Sequence, residues 1–414
     1  MKKMYLFTLS YPYGMGEKTF ISPELNEISM EYEVTILTCA SKEQIQNKAC
    51  ITEVNDSVSV IHLKDYLNRK EKIIYFFQTI CSSLFWKEIW LLKKCKRNIR
   101  QCFYFTLSFF ARAINIRDQV ENLKLLDQEA VFYTYWYNHC TLGLLMAKKK
   151  RKGLSVITRT HGYDLYNERC PGNWQPFKHY MTKSISAVYF ICKAGRDYYI
   201  DTYVEKHELE AKLYLARMGV KAKGKRNEIE KGATFELVSC SNMIPLKRIE
   251  LIIDALSLCS DQKIHWTHFG DGESRKKIEN LAKEKLNTVC TSYSFLGHVK
   301  NEEVMDFYEN HSVHCFITTS ATEGCPVSVQ EALAYGIPVI GTAVGGIPEC
   351  IRDNGVLLPE NPSAAEVADA INRIYDASEE EIANMRENSY QLWQERFDSE
   401  RNYKAFVKNL KESI

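Results

Sequence analysis

The sequence EGCPVSVQEALAYGIPVIGTAVGGIPE, residues 323–349, predicts in turn a loop, a helix, a second loop, a short buried strand and a glycine loop. Pro326 suits the first helical position, because its fixed φ is already helical and its missing N–H is one that a helix start leaves unused. Gly336 and Pro338 end the helix, since glycine tolerates the left-handed conformation and proline cannot continue a helix. The stretch therefore predicts one helix–strand unit of an α/β sheet.

The start of this helix is a candidate phosphate site. The backbone N–H groups of residues 327–329 have no intrahelical partner, and the positive end of the helix dipole favours an anion there. Glu331 lies more than a turn into the helix, at about 1.5 Å of rise per residue, whereas Glu323 precedes the helix. Two carboxylates so placed can hold hydroxyl groups on either side of a bound phosphate. The glycines at 345–346 follow the strand at its carboxyl end, where a ligand can approach the backbone.

The whole run resembles the donor-site motif of retaining glycosyltransferases of the GT-B fold, of the family 4 type, with its two glutamates separated by seven residues. In that family the first glutamate contacts the donor sugar and the second the ribose hydroxyls, and the resemblance assigns these roles to Glu323 and Glu331. It implies an α/β protein with two Rossmann-like domains, whose parallel sheets face across a cleft, and a C-terminal helix that crosses back to the first domain. The donor-binding residues implied between the glutamates are Gly324, Cys325, Pro326 and Val327.

The chain length suits this organisation. Its 414 residues allow two domains of about 200 residues each. The expected boundaries give an acceptor-binding domain over 1–220, a donor-binding domain over 221–390 and a returning C-terminal segment over 391–414. Strands and helices alternate throughout, which indicates parallel sheets with right-handed crossovers.

The amino-acid composition limits which classes of function are expected. The formal net charge of +2 gives no global electrostatic reason to expect a nucleic acid partner. The 14 cysteines are scattered without zinc or C-x-x-C spacing, which favours reduced thiols in a cytoplasmic protein. No apolar run is long enough to span a bilayer. The apolar residues near the amino end are too few for a signal peptide and predict a first strand.

The loop after that strand carries Tyr13, Gly14 and Gly16. It lacks the third glycine of a dinucleotide fingerprint, and Glu17 stands where a P-loop would need glycine. The loop resembles the glycine loop of the same transferase family, which lies against the donor phosphate and the acceptor. The resemblance thus implies donor contacts for the two glycines and an acceptor contact for Tyr13.

Two further loops follow predicted strands in the first half. The strand over 130–135 ends in Tyr135 and Trp136, which we assign to the acceptor. The strand over 154–159 leads into THGYD, residues 160–164, which resembles the family's histidine-glycine-x-aspartate stretch facing the donor sugar. His161 is the catalytic candidate there, whereas Asp164 either contacts the acceptor or caps the next helix.

The segment SNMIPLKRIE, residues 241–250, resembles the family's phosphate-gripping segment, in which an arginine and a lysine five residues apart hold the diphosphate. Lys247 fits the lysine, but Asn242 stands in place of the arginine. An asparagine can donate a hydrogen bond without neutralising charge. Arg248 is the nearest candidate to compensate. The remaining donor-site candidates are the turn glycine Gly270 and the residues of the base-binding corner, His298 and Val299.

The resemblance implies transfer of a sugar from a UDP- or GDP-linked donor to an acceptor hydroxyl, with retention and without metal or cofactor. His161, Glu323 and Lys247 would hold the sugar and stabilise the leaving diphosphate. No D-x-D motif suggests a metal site. Two alternatives stay open: a nucleotide-sugar epimerase or phosphorylase of the same architecture, and an inactive protein that only binds the nucleotide sugar.

The segment over 69–100 combines aromatic residues with clustered lysines and arginines. It suits helices lying on an anionic membrane face, although amphipathic helices packed on a sheet with solvated lysines would show the same pattern. The membrane interpretation suggests a glycan or lipid-linked glycan acceptor, in polysaccharide or glycolipid synthesis at the inner face of the cell membrane.

Overall fold

The computed structural model describes residues 1–47, 51–149, 153–205, 212–222, 224–230, 232–259, 262–286 and 291–413. The chain forms two compact units, Met1–Ala216 with Tyr403–Ile414, and Arg217–Asn402. Each unit contains one sheet in which neighbouring strands run parallel. Most of the last helix of the chain therefore belongs to the first unit.

The first unit contains seven strands and eight complete helices among its described residues. The strands are β1 (Lys2–Thr8), β2 (Tyr32–Thr38), β3 (Ser59–His62), β4 (Ala130–Thr134), β5 (Ser155–Thr160), β6 (Ala187–Phe190) and β7 (Lys212–Leu215). The helices are α1 (Met15–Ser29), α2 (Lys42–Gln46), α3 (Arg69–Ile80), α4 (Ser83–Lys94), α5 (Ile99–Asn122), α6 (His139–Lys148), α7 (Lys178–Thr182) and α8 (Lys193–Tyr203).

The strand order in this sheet is β3-β2-β1-β4-β5-β6-β7. The chain thus moves outward in one direction from β1 and in the other from β4. These two strands are adjacent, with Met4 opposite Val131. The loops that leave their carboxyl ends diverge, and the crevice between such loops is where open α/β sheets bind ligands.

Alternate side chains of the strands enter two separate cores. Met4 and Leu6 face a core built with α1 and with Phe406 and Leu410 of the last helix. Phe7 belongs instead to the core on the other face, which includes residues of α5 and α6. Because both faces are covered, consecutive residues of the central strands β1, β4, β5 and β6 are buried, instead of buried and exposed residues alternating.

The second unit contains six strands and six helices among its described residues, and α15 (Ser399–Ser413) runs from it into the first unit. The strands are β8 (Phe235–Cys240), β9 (Ile264–Phe269), β10 (Thr291–Gly297), β11 (Val313–Thr318), β12 (Val339–Thr342) and β13 (Gly355–Leu358). The helices are α9 (Ile249–Leu256), α10 (Arg275–Lys285), α11 (Asn301–Asn310), α12 (Val327–Ala334), α13 (Ala364–Tyr375) and α14 (Glu379–Arg396).

The strand order of the second sheet is β10-β9-β8-β11-β12-β13, so its direction changes between β8 and β11. Trp266 and Ile317 are fully buried in its core with residues of α9 and α13. The helix predicted from Pro326 begins one residue later, at Val327, because Pro326 has an extended ψ of 126°. The described helices include none that has both the length and the apolar character to cross a bilayer.

Candidate active site

The two loops at the switch point of the second sheet carry the strongest sequence candidates. The loop after β8 leads through Lys247 and Arg248 into α9, and the loop after β11 leads through Glu323 into α12. Backbone hydrogen bonds join the loops, because Ala321 N–H donates to the Leu246 carbonyl oxygen over 2.8 Å. The structure therefore brings Lys247 and Glu323 together although 76 positions separate them.

Lys247 and Glu323 form an ion pair with an Nζ–Oε1 distance of 2.5 Å. Glu323 is buried, whereas Lys247 is partly exposed. A charge-assisted hydrogen bond of this kind contributes about 1.5–3 kcal/mol. The pair places one cation and one anion in front of α12.

Glu331 lies within α12 and is buried. Burial raises the pKa of its carboxyl to about 7, and the hydrogen bond donated by Asn301 Nδ2 over 2.7 Å limits the rise. Asn301 is the first residue of α11, directly after the corner that carries His298 and Val299. No sequence signal pointed to this partner, because an asparagine at a helix start is usually interpreted as a cap.

The guanidinium of Arg248 is committed to backbone carbonyl groups. Its Nε donates to the Thr319 oxygen over 2.6 Å, and its Nη2 donates to the oxygens of Ser320 and Glu360 over 2.9 and 2.8 Å. Arg248 thus ties the loop after β8 to the loop after β11. Asn242 is exposed, and the charge missing at that position is not restored by Arg248 in this arrangement.

The glycine loop after β12 packs directly on the backbone of the Glu323 loop. Gly345 has φ +53°, and a Cβ there would lie 1.9 Å from the Glu323 carbonyl oxygen. Gly346 N–H donates to the Gly324 oxygen over 2.6 Å. The thiol of Cys325 is buried and accepts a hydrogen bond from Gln330 Nε2 over 3.3 Å. These contacts fix the path of the backbone into α12.

The start of α12 has no side-chain cap, because Pro326 offers no acceptor. The N–H groups of the first turn, from Val327 onward, are those that a helix leaves without intrahelical partners. On the neighbouring strands, Gly270 N–H donates to the Gly297 oxygen over 2.8 Å, which joins the turn after β9 to the corner after β10. His298 is exposed at that corner.

In the first unit, His161 follows β5 and is buried. Neither of its ring nitrogens has a hydrogen-bond partner among the described residues, and Nδ1 lies 3.7 Å from Asp164 Oδ2. Leaving a buried polar group unpaired costs about 1–3 kcal/mol. An imidazole in this state is suited to a ligand that supplies the partner.

Asp164 is fully engaged inside the unit. Its carboxylate accepts the backbone N–H of His161 over 2.7 Å and that of Tyr137 over 2.8 Å. Burial opposes ionisation, but the nearby His161 imidazole, the charge of Lys178 and the backbone N–H of His161 outweigh it and keep the pKa of Asp164 below its ordinary value. The residue thus joins the loops after β4 and β5, and neither an acceptor contact nor a helix cap is needed to explain it.

Two aromatic rings contact the ring of His161. Trp136 lies 4.2 Å away between ring centroids and Tyr135 lies 4.9 Å away, and Trp136 also contacts the ring of Tyr163 at 4.9 Å. The rings of Tyr135 and Trp136 are thus beside the imidazole, as their positions at the end of β4 predict. This arrangement limits the rotation of the His161 ring.

Glu17 is a site residue that the sequence did not reveal. Its carboxylate accepts the backbone N–H groups of Ser10 and Tyr11 over 2.5 and 2.7 Å, and the indole N–H of Trp136. The N–H groups of the loop after β1 are therefore bound by a carboxylate of the chain itself. The only sequence signal was the glycine-rich loop in which Glu17 stands.

The glycines of this loop differ in importance. A Cβ on Gly14 would lie 2.5 Å from Ser10 Oγ, whereas one on Gly16 would meet nothing within 4 Å. Tyr13 is partly exposed, and its N–H donates to the Ser10 carbonyl oxygen over 2.7 Å. Steric crowding therefore explains Gly14 but not Gly16.

Within the described residues, no three His, Cys, Asp or Glu side chains are grouped as a metal site requires. The candidates fall into two sets, one in each unit. The first-unit set is Tyr13, Gly14, Gly16, Tyr135, Trp136, His161 and Asp164. The second-unit set is Asn242, Lys247, Arg248, Gly270, His298, Val299, Glu323, Gly324, Cys325, Pro326, Val327 and Glu331.

Residues 221–392 match the family model described as glycosyl transferases group 1. The match covers nearly all of the second unit and includes its whole set of candidates. The second unit is therefore similar to the domain that this model describes.

Three curated relatives agree with this assignment. The chain is 26% identical over 203 residues to the UDP-N-acetylglucosamine–peptide N-acetylglucosaminyltransferase GtfA subunit of Streptococcus agalactiae, covering 47% of this chain and 38% of that protein. It is 27% identical over 190 residues to the putative colanic acid biosynthesis glycosyltransferase WcaL of Salmonella typhimurium, covering 42% and 46%. It is 32% identical over 130 residues to the O-antigen biosynthesis glycosyltransferase WbnH of Escherichia coli, covering 31% and 34%.

Each match thus spans less than half of the relative's own length. All three relatives are glycosyltransferases by name.

Solved structures resemble the whole chain. Sucrose-phosphate synthase from Thermosynechococcus elongatus has a TM-score of 0.71 at 15% identity, covering 100% of this chain and 99% of that one. Anabaena HepE, solved in complex with UDP-glucose, has a TM-score of 0.65 at 14% identity, covering 100% of both chains. At these identities the likeness concerns the fold. The expected α/β fold of the GT-B type, with two parallel-sheet Rossmann-like domains, is confirmed.

Proposed function

We propose that this protein is a retaining glycosyltransferase of the family 4 type, which moves a sugar from a nucleotide-diphosphate sugar to an acceptor hydroxyl. The observation that carries the proposal is the arrangement around the start of α12. The Lys247–Glu323 ion pair lies before the uncapped first turn, and Glu331 lies within the helix behind it. The cation and the helix dipole suit the phosphates of such a donor, and the two carboxylates suit its hydroxyl groups.

Each part of the donor has a proposed partner. The diphosphate is bound by Lys247 and the amide groups at the start of α12, and the ribose hydroxyls donate to Glu331. The base pairs with backbone groups at the corner of His298 and Val299. UDP or GDP is the proposed nucleotide, and HepE, solved with UDP-glucose, offers a precedent for UDP on this fold.

The proposed reaction replaces one bond on the sugar. The bond from the anomeric carbon to the phosphate oxygen breaks, and a bond to the acceptor oxygen forms on the same face of the ring. The acceptor proton passes to an oxygen of the leaving phosphate, so no side chain needs to act as nucleophile. Lys247 and the α12 dipole stabilise the charge on the departing diphosphate.

The same groups make the reaction metal-independent in this proposal, since a lysine and a helix dipole supply the positive charge that a divalent ion would bring. No cofactor is required. Glu323 holds a hydroxyl group of the sugar rather than attacking it. His161 is proposed to bind a hydroxyl group as well, because its ring nitrogens have no hydrogen-bond partner among the described residues and a hydroxyl can satisfy either of them.

The proposed acceptor is a glycan or lipid-linked glycan in polysaccharide or glycolipid synthesis, used by a cytoplasmic protein at the inner face of the membrane. The names of WcaL and WbnH, which refer to colanic acid and O-antigen biosynthesis, support a surface polysaccharide. Tyr13, Tyr135 and Trp136 are the proposed acceptor contacts.

A protein that binds the nucleotide sugar without transfer is the second candidate. It is favoured by Asn242, which carries no charge, and by Arg248, whose guanidinium is held by backbone oxygens. A donor site with one cation fewer stabilises the departing diphosphate less than the usual pair.

The test combines binding with turnover. Thermal unfolding is measured with UDP-, GDP- and ADP-sugars in chelator, for the wild type, Glu331→Ala and the control Glu302→Ala, which changes an exposed carboxylate of α11. A donor at 100 times its dissociation constant adds about 2.7 kcal/mol to the free energy of unfolding. We expect one nucleotide to stabilise the wild type and the control but not Glu331→Ala.

Release of the nucleotide is then followed with added glycan acceptors. Release that depends on the acceptor supports the transferase, and an α-configured product from an α-linked donor supports retention. Binding without acceptor-dependent release supports the second candidate. Stabilisation by no nucleotide sugar contradicts both.

A further inference from the structure

Helices α3, α4 and the start of α5 expose a group of large apolar side chains in the first unit, which we call the α3–α5 face. Among them Phe77 is 57% exposed, Trp90 62% and Tyr104 77%. The full apolar set of the face is Ile73, Ile74, Phe76, Phe77, Trp86, Trp90 and Tyr104. A cluster of exposed apolar side chains of this kind indicates an interaction surface rather than a core.

The exposure of the tryptophans follows from the way α4 is anchored. The helix buries Phe85, Glu88 and Leu92 along one side, which leaves Trp86 and Trp90 on another. Glu88 Oε1 fixes this orientation, because it accepts the indole N–H of Trp174 over 2.7 Å and the Phe177 N–H over 2.8 Å. Rotating α4 to bury the tryptophans would break both bonds.

The face is also strongly cationic. Eight lysines and arginines between 69 and 100 are exposed, and none of them forms an ion pair with another described residue. Lys94 lies over the ring of Trp90 at 5.5 Å from its centroid. The exposed cations are Arg69, Lys70, Lys72, Lys87, Lys93, Lys94, Lys96 and Arg100.

Carboxylates do not offset this charge. Only Glu71 and Glu88 occur between residues 69 and 104. Glu71 is paired with Lys64 over 2.5 Å, and Glu88 is buried. The formal net charge of the whole chain is only +2. The exposed cations therefore lie in the same helical segment as the exposed aromatic rings, and Lys94 contacts one of those rings.

This charge distribution favours one kind of binding partner for the α3–α5 face over another. A second copy of the chain would bring a face of the same sign, and packing the two faces together would force unpaired cations against one another. An anionic bilayer instead offers phosphate groups to the lysines and an interfacial layer that aromatic rings favour. We propose that the α3–α5 face binds the surface of an anionic membrane, with Phe77 and Trp90 entering the headgroup region.

The proposal names a partner for the protein independently of the donor site. It rests on the proposed function only in its purpose, which is to bring the enzyme to a lipid-linked acceptor. The two are separable by experiment, since vesicle binding needs no sugar nucleotide and donor binding needs no vesicle.

The test is flotation of the full chain with vesicles of phosphatidylcholine alone or mixed with phosphatidylglycerol, at low and high salt. The charge variant is Lys87→Glu/Lys93→Glu/Lys94→Glu. Its control is Lys276→Glu/Lys283→Glu/Lys408→Glu, which makes the same change of net charge at exposed lysines outside the face. Circular dichroism and cooperative thermal unfolding without any nucleotide verify that each variant is folded.

The apolar variant is Phe77→Ser/Trp90→Ser, and Leu258→Ser/Leu357→Ser, at comparably exposed positions, is its control. We expect the wild type and both controls to float with the anionic vesicles at low salt and to be released by high salt. The charge variant should stay in the soluble fraction, and the apolar variant should float at least several-fold less.

Three outcomes overturn the proposal. One is a wild type that does not float with anionic vesicles, and another is equal flotation of the charge variant and its control. The third is self-association in sedimentation that Phe77→Ser/Trp90→Ser abolishes while vesicle binding is absent, which would assign the face to a second copy of the chain.

Discussion

Lys247 Nζ lies 2.5 Å from Glu323 Oε1, between loops that leave adjacent strands of the second sheet. The pair has two consequences. It neutralises a buried carboxylate in the unliganded protein, and it places the lysine where the proposed diphosphate needs a cation. Removal of Lys247 should therefore affect both stability and donor binding.

Lys247→Ala is expected to weaken binding of the donor nucleotide by roughly 10- to 100-fold, since a charge-assisted hydrogen bond is worth about 1.5–3 kcal/mol. Calorimetric titration with the nucleotide measures this change. The control Lys277→Ala breaks an exposed ion pair with Glu250 and should leave the affinity unchanged. Equal affinities for wild type and Lys247→Ala would remove the lysine from the donor site.

Donor binding should depend on pH through Glu331, whose pKa burial raises to about 7. The neutral carboxyl is a poorer acceptor for ribose hydroxyls than the carboxylate. If only the ionised form binds, affinity rises by about an order of magnitude over the two pH units centred on that pKa. Titrations across this range should show the rise in the wild type and a flat profile in Glu331→Gln.

Asn301 provides a separate check on that assignment. Its Nδ2 donates to Glu331 over 2.7 Å and favours the ionised form. Asn301→Ala should therefore move the midpoint of the affinity profile to higher pH, whereas Glu302→Gln on the same helix should not move it. A midpoint that stays in place in Asn301→Ala would show that another group titrates.

The Glu17 carboxylate connects the loop after β1 to Trp136, which in turn lies 4.2 Å from His161. Glu17→Ala leaves the Ser10 and Tyr11 N–H groups without their acceptor, so the free energy of unfolding should fall by about 1–3 kcal/mol for each group that stays buried. Urea unfolding measures the loss, and Glu27→Gln on the same helix is the control.

A positioning effect of Glu17 is distinguishable from a loss of stability. At a temperature where the variant is folded, turnover should fall in Glu17→Ala while nucleotide affinity stays near that of the wild type, because the proposed nucleotide contacts lie on Lys247 and Glu331. Turnover equal to that of the wild type would leave Glu17 with a structural role alone.

The sequence predicted the order of strands and helices well, because most strands are short, largely apolar runs bounded by polar loops. It also predicted which loops lie at the carboxyl edges of the sheets, where open α/β sheets bind ligands, since parallel strands have their carboxyl ends at the same edge. Polar partners between distant loops could not be predicted. Asn301 and Glu331 are distant in the sequence and come into contact only in the folded chain. Arg248 binds backbone carbonyl oxygens, which every residue has and which no sequence pattern can single out.

Glu88, which anchors α4, should make the stability of the protein depend on pH. Burial raises the pKa of Glu88 to about 7, and the N–H groups of Phe177 and Trp174 limit the rise. The folded state therefore holds the proton more tightly than the unfolded chain. The stabilising contribution is complete below the unfolded pKa of about 4.5 and is lost as the pH rises through about 7.

Glu88→Gln keeps an oxygen that can accept both N–H groups but cannot ionise. Its free energy of unfolding should exceed that of the wild type above pH 7 by up to roughly 3 kcal/mol, since one pKa unit corresponds to about 1.4 kcal/mol. Urea midpoints measured at several pH values should converge below the unfolded pKa, where the wild-type carboxyl is also neutral. Glu71→Gln is the control of opposite sign, because the hydrogen bond from Lys64 lowers the pKa of Glu71 and its contribution is lost as the pH falls. If Glu88→Gln were less stable than the wild type above pH 7, where the wild-type carboxyl is ionised, the charged carboxylate itself would be what holds α4 in place.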